Sequence, residues 1–217
     1  MKFKKSIFEK MGEEEVKRIL ATLEPFAPKG DMKDIYVRDI FTKEFGWHFP
    51  TYDSLVKIRD YVSGKSVLSI GSGCAFVEFL LQILGVNVTP TDPYLSHCTD
   101  EVTRHTEVEV MTAREAIKSH PGIDIFLFCW PSWNPDPDWT GEAMEMIVSG
   151  KNENTRVIHI GEGEGGCTGS QKFFDLLNEH FTMEDEVWGK NFYSIHDYVQ
   201  FWGPKEADSE DEGVADN

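Results

Sequence analysis

Between Glu13 and Phe26 the apolar residues Val16, Ile19, Leu20 and Leu23 recur at intervals of three and four, the helical period, and predict an amphipathic helix. A second helix is expected in "FGWHFPTYDSLVKIRDYV", where Thr51 caps a segment that presents Leu55, Ile58 and Val62 on one side and stops at Gly64. Beyond it the pattern changes to short apolar runs separated by helical ones. Val67 to Ile70 reads as a buried strand, Ala75 to Leu84 as a helix stopped by Gly85, and Val86 to Thr91 as the next strand. A short "VEV" run, the helix "TAREAIKSH" closed by Pro121-Gly122, the apolar strand "IDIFLFCW", the helix "GEAMEMIVSG", the strand "TRVIHIG" and the helix "SQKFFDLLNEHF" continue the alternation.

Strands alternating with helices of about ten residues predict a mostly parallel sheet covered on both faces. "FTMEDEVWGK" and "FYSIHDYVQFWG" are consecutive extended segments with no helix between them, so an antiparallel pair is expected at one sheet edge. The organisation expected is an N-terminal helical extension over residues 1–60, a sheet domain over 61–204 and a disordered acidic tail over 205–217.

Composition narrows the partners. The 217 residues are 40% hydrophobic, enough to bury a sizeable core, and carry 21 Lys and Arg against 38 Asp and Glu, a formal charge of -17. That balance repels phosphate backbones and anionic lipid, which argues against non-specific nucleic-acid binding and membrane association. Six of the acids lie in "EADSEDEGVADN", which has little to bury and reads as a solvated tail. Cys74, Cys98, Cys129 and Cys167 show neither CxxC spacing nor a disulfide framework, and no stretch has signal-peptide or membrane-span length. A cytoplasmic protein, with the nucleus left open, is expected. The N-terminal helices and the acidic tail are the surfaces offered to a protein partner.

The chemistry concentrates after the first strand. In "SVLSIGSGCAFVEFLL", Gly71 and Gly73 form the strand-to-helix turn where open α/β sheets place ligands. Phe76 stands at the third glycine position of a dinucleotide fingerprint, which argues against a nicotinamide-dependent oxidoreductase, and no Lys follows to make a phosphate loop. A nucleoside ligand without pyrophosphate, or no ligand, remains. Asp92 at the end of "VNVTPTD" is placed to accept both hydroxyls of a ribose, and a turn or cap role is its alternative.

With these residues in hand the chain resembles the class I S-adenosylmethionine-dependent methyltransferases. "VLSIGSGCA" is similar to their first motif and Asp92 to their ribose-binding acid. "FGWHFPTYDSL", "FCWPSWNPDPDW" and "VIHIGEGEGGCTGSQKFF" resemble a methyltransferase-like group with W-P and G-E segments after the fourth and fifth strands. The resemblance implies a Rossmann-like methyltransferase fold: a mostly parallel seven-stranded sheet with an antiparallel edge strand, helices on both faces and an N-terminal helical extension. It implies S-adenosylmethionine as cofactor, with Gly71, Ser72 and Gly73 beside the methionine part, Asp92 on the ribose, Met111 and Thr112 flanking the adenine, and Cys129, Trp130 and Pro131 beside the sulfonium. Tyr52 would close over the pocket, and Trp133 with Trp130 would wall the acceptor. Glu162 is the candidate base or substrate carboxylate.

Three positions depart from the family pattern. Ser69 stands where an acid is common, which weakens indirect contacts to the methionine ammonium, and Ala75 stands at the third small position. Cys129 replaces the Asn or Asp that serves adenine or cytosine amino methylation, so a small molecule or a peptide group is the expected acceptor. A catalytically inactive binding or scaffolding module on the same fold is the alternative. His159 reads as a core histidine, and Asp136 and Asp138, in a proline-rich loop, are not expected to bind metal.

Overall fold

A computed structural model of the chain describes residues 2–94, 104–134 and 136–205. Seven strands form one sheet in the order β3-β2-β1-β4-β5-β7-β6. They are β1 (Val67–Ile70), β2 (Val88–Asp92), β3 (Glu109–Val110), β4 (Ile125–Cys129), β5 (Arg156–Gly161), β6 (Phe181–Trp188) and β7 (Tyr198–Pro204). Strands β1 to β5 run parallel, and β7 pairs antiparallel with both β5 and β6. The expected antiparallel pair therefore lies at one edge, with β7 the reversed strand and β6 outermost. The register puts Leu127 opposite Ser69 and Ile158, so the middle of the sheet is continuous through β1, β4 and β5.

Side-chain alternation along the strands divides the core in two. Val67, Ile125, Leu127, Ile158 and Ile160 face helices α1 (Lys2–Thr22), α2 (Asp34–Phe45), α3 (Tyr52–Val62) and α4 (Phe76–Ile83). Leu68, Ile70, Phe126, Phe128 and Val157 face α5 (Ala113–Ser119), α6 (Trp139–Ser149) and α7 (Gln171–His180). Capping follows the sequence. Thr51 and Thr112 make reciprocal capping boxes with Ser54 and Glu115, and the Asp138 and Ser170 side chains cap α6 and α7.

The periodicity did not announce α2. Its buried residues are Asp34 and Phe41, while Tyr36 and Ile40 are exposed, so the apolar stripe is too narrow to read. Asp34 starts the helix by accepting hydrogen bonds from the Lys29 and Gly30 N–H groups. Phe41 is fully buried and touches the rings of Phe45 and Phe49 at 5.1 Å, Phe192 at 5.7 Å and Phe26 at 6.3 Å. Val16, Leu23, Ala27, Phe41, Phe49, Leu55 and Ile58 of the first sixty residues thus share the core of the sheet. Of the expected acidic tail only Lys205 is described, its N–H donating to the His180 carbonyl, and residues 206–217 lie outside the described residues.

Among the described residues no helix is long and apolar enough to cross a membrane. Truncating the centre of the phenylalanine cluster, Phe41→Ala, is expected to cost about 3–5 kcal/mol of stability, read as a lowered urea midpoint. A loss below about 1 kcal/mol would mean that α2 is not part of the cooperative core.

Candidate functional site

The order of the sheet reverses between β1 and β4, and the glycine turn lies at that switch, beyond the carboxyl end of β1. Residues 71, 73 and 75 all adopt left-handed backbone, with φ of 73° at Gly71, 55° at Gly73 and 56° at Ala75. Alternating handedness turns successive N–H groups to one side. Here they meet the end of β2: the Thr91 carbonyl accepts from the Gly71 and Ser72 N–H groups and from Ser72 Oγ, and Asp92 Oδ2 accepts from the Gly73 N–H at 3.0 Å. Gly71 has a second reason to lack a side chain, because a Cβ there would lie 2.8 Å from the Trp139 ring. Ala75 bears its left-handed conformation at a cost of about 1 kcal/mol. Phe76 is buried against Phe45 and His105, so the residue that argues against a dinucleotide is packing the back of the turn.

Ser69 proves to have a carboxylate after all, supplied from α4. The Ser69 hydroxyl donates to Glu78 Oε1 at 2.5 Å, and the two residues are 0% and 1% exposed. Burial pushes the Glu78 carboxyl up to about 7; the Ser69 hydrogen bond opposes the rise and the Asp92 charge adds to it. The same neighbourhood includes two thiols. Burial, and then the Glu78 charge, raise Cys129 well above the ordinary thiol range, and burial raises Cys74 to about 11. These thiols are therefore protonated at neutral pH and are poor nucleophiles.

A second assembly lies beyond β4. Trp130 follows Cys129 with φ of 51°, unusual for a bulky residue, and its N–H donates to the Ile160 carbonyl. This aims the indole across the W-P loop, where its Nε1–H donates to Asp197 Oδ2 at 3.2 Å. The same oxygen pairs with His48 Nδ1 at 2.5 Å, and both His48 and Asp197 are buried. Trp47 stacks on Trp130 with centroids 5.4 Å apart, and the Arg38 guanidinium lies 5.7 Å from the Trp47 ring. The preceding Gly46 reaches the glycine turn, since a Cβ on it would sit 3.5 Å from Cys74 Sγ. One loop, residues 46–51, thus spans the ends of β1 and β4.

The structure distributes the remaining site residues as follows. Met111 follows β3 with its N–H on the Asp92 carbonyl, and the Thr112 hydroxyl is engaged in the α5 capping box. Pro131 is buried with its carbonyl accepting from Gly169, and Trp133 is exposed on the W-P loop. The Tyr52 side chain is taken up by α1: Lys17 Nζ lies 4.8 Å from its ring, and its hydroxyl bonds Glu13. Glu162 is buried, with Oε2 accepting from the Cys167 N–H and Oε1 from the His196 N–H, so its carboxylate ties two loops together. Its carbonyl also accepts from Thr168 Oγ1. His196 lies in the loop ahead of β7, not in the strand.

His159 is fully buried between Phe173 and Phe174, and burial pushes its imidazole down to about 4, so it is neutral. Asp138 caps α6 and accepts from Ser170 Oγ, and no group of residues able to hold a metal occurs among the described residues. Sequence reasoning missed Trp47, His48, Glu78 and Asp197. "GWHFP" ahead of the Thr51 cap was a visible aromatic cluster; nothing local marked Glu78, one of two polar residues, with Gln82, in an apolar helix.

Two measurements test these contacts. The folded state holds the Glu78 proton up to about pH 7, whereas the unfolded chain releases it near the ordinary Glu value, so this group's contribution to stability falls as pH rises between the two and levels off above the folded value. Glu78→Gln should therefore match the wild type near pH 4 and exceed it by about 3 kcal/mol at pH 8 in urea titrations. Asp197→Ala strands His48 and the Trp130 N–H and should lower stability by about 3 kcal/mol in the same assay.

No protein-family profile matches the chain, and no curated protein sequence does. Solved structures do match its fold. The 1,6-didemethyltoxoflavin-N1-methyltransferase of Burkholderia thailandensis, crystallised with 1,6-didemethyltoxoflavin and S-adenosylhomocysteine, aligns over 78% of this chain and 82% of its own, at 16% identity and a TM-score of 0.53. The N-methyltransferase NodS of Bradyrhizobium japonicum aligns over 70% of this chain and 94% of its own, at 14% identity and a TM-score of 0.51. The chain has the Rossmann-like fold of these methyltransferases.

Proposed function

We propose that the chain is an S-adenosylmethionine-dependent methyltransferase acting on a small molecule or a peptide group. The carrying observation is the placement of the glycine turn, Asp92 and Trp130 at the carboxyl ends of β1, β2 and β4, around the point where strand order reverses. The fold shared with two methyltransferases supports it.

The residues present suit a nucleoside ligand with a cationic end. Gly71 and Gly73 let the turn adopt its left-handed backbone, Asp92 offers a carboxylate at the end of β2, and Glu78 places a second one behind the turn. When bound, the cofactor supplies a methyl group on a positively charged sulfur, so transfer depends mainly on aligning an acceptor with it. In this reading the W-P and G-E segments make the acceptor side. Trp130, fixed by Asp197 and stacked on Trp47, gives a flat aromatic wall that suits a planar or cationic acceptor, and Glu162 holds the G-E loop in place beside it.

Calorimetric titration with S-adenosylmethionine and S-adenosylhomocysteine tests the proposal. The wild type should bind both, and Asp92→Ala should weaken binding at least tenfold and abolish methyl transfer to a cell extract. An absence of binding at millimolar cofactor would overturn the reading. Binding without transfer to any acceptor would favour the inactive binding module.

A further inference from the structure

A buried carboxylate is normally matched by a basic side chain or by several N–H donors, because taking the charge out of water costs several kcal/mol. Glu78 has neither. Among the described residues its side-chain partner is one hydroxyl, Ser69 Oγ. The side chains that act on it or feel its charge are Ser69 from β1, Cys74 from the glycine turn, Asp92 from β2 and Cys129 from β4, and no basic side chain from α1 or α3, which also pack on α4, is among the groups that shift its titration. The two thiols are neutral and Asp92 is a further acid, so these neighbours supply no positive charge. Nor does the fold need a carboxylate there, since Phe76, Val77, Leu80 and Leu81 already fill the buried face of α4, and its other polar residue, Gln82, is half-buried and bonded to the Val88 carbonyl.

The carboxylate is also aimed. Ser69 lies two residues before Gly71, on the side of β1 that faces α4, so its hydroxyl bridges Glu78 to the root of the turn. Cys74 within the turn and Cys129 at the end of β4 both feel the Glu78 charge. In the proposed reading the cationic end of the ligand lies beside the turn and the end of β4, the elements that carry these two thiols.

We infer that Glu78 is a positioning residue of the glycine-turn site, acting through Ser69: its unmatched carboxylate draws the cationic end of the ligand to the turn and releases its proton to solvent as that charge arrives. The inference rests on the proposed cofactor reading and adds a residue that no motif assigns. In the free protein burial leaves Glu78 partly protonated at neutral pH. A cation held nearby lowers that value again, so binding and proton release are coupled.

Titrating the full-length protein with S-adenosylmethionine at pH 7 in phosphate and in Tris, whose ionisation enthalpies differ, counts the protons released. The wild type should release measurably more protons, up to about one, than Glu78→Gln, and the variant should bind about tenfold more weakly. Ser69→Ala removes the larger of the two hydrogen bonds that favour the charged form, the other being to the Glu78 backbone, so more Glu78 starts protonated and the count should rise above the wild type. This second variant keeps the test open if Glu78→Gln does not fold. Equal proton counts in the wild type and the variants, with binding intact, would overturn the role of Glu78 and leave the cofactor reading standing. A wild type that fails to bind would sink that reading and this inference together.

Discussion

The hydrogen bonds that fasten the glycine turn to the end of β2 set the geometry of the whole site. One carbonyl, Thr91, takes three donors from Gly71 and Ser72, and the Asp92 carboxylate takes a fourth from Gly73. Left-handed residues at 71, 73 and 75 are what direct those donors to one side, and only glycine or a small residue tolerates that at modest cost. From this fastening follow the start of α4 at Phe76, the entry of Glu78 beneath β1 and the packing of Phe76 on Phe45 and His105. The β2 end thus serves the turn before it serves any ligand.

A second fastening works across the chain instead of along it. Asp197, just ahead of β7, gathers His48 from the N-terminal segment and Trp130 from the end of β4 on a single oxygen. Residues 149 apart in sequence are thereby joined over the carboxyl edge of the sheet. Buried polar networks of this kind are costly when incomplete, which makes them good at specifying one arrangement. The left-handed Trp130 is consistent with that: its strain is of the order of 1 kcal/mol and is offset by the contacts its indole makes with Asp197 and Trp47.

The parts of the fold legible in the sequence were those governed by local periodicity or by a specific cap. Strands β1 and β4 read directly because their residues are almost all apolar, α3 because Thr51 marks its start, and α5 because Pro121-Gly122 closes it. Helix α2 was hidden because much of its apolar surface faces out, leaving Phe41 as its anchor. In the site, Gly71, Gly73 and Asp92 carry signals that depend on neighbours one strand away. Glu78 and Asp197 do not, since each acquires its meaning from a partner on another element. Tyr52 shows the converse: its position ahead of β1 suggests a lid, but α1 supplies Lys17 and Glu13 to occupy it.

Ser69 and Glu78 show why a position-by-position comparison of motifs misjudges such a site. A carboxylate on α4 that reaches β1 through a hydroxyl puts negative charge near the place of a β1 acid, and burial leaves that carboxyl weakly ionised near neutral pH. The strand residue, reduced to serine, stays polar enough to give the carboxylate a donor, while valine or alanine there would leave it bare. What the alternative arrangement changes is the response to pH. A carboxylate near its ordinary value is charged throughout the physiological range, whereas one raised toward neutrality is charged fully only when something positive is bound beside it. The stability lost by burying Glu78 is therefore greatest in the empty site, and a cation in that site is the event that would recover it.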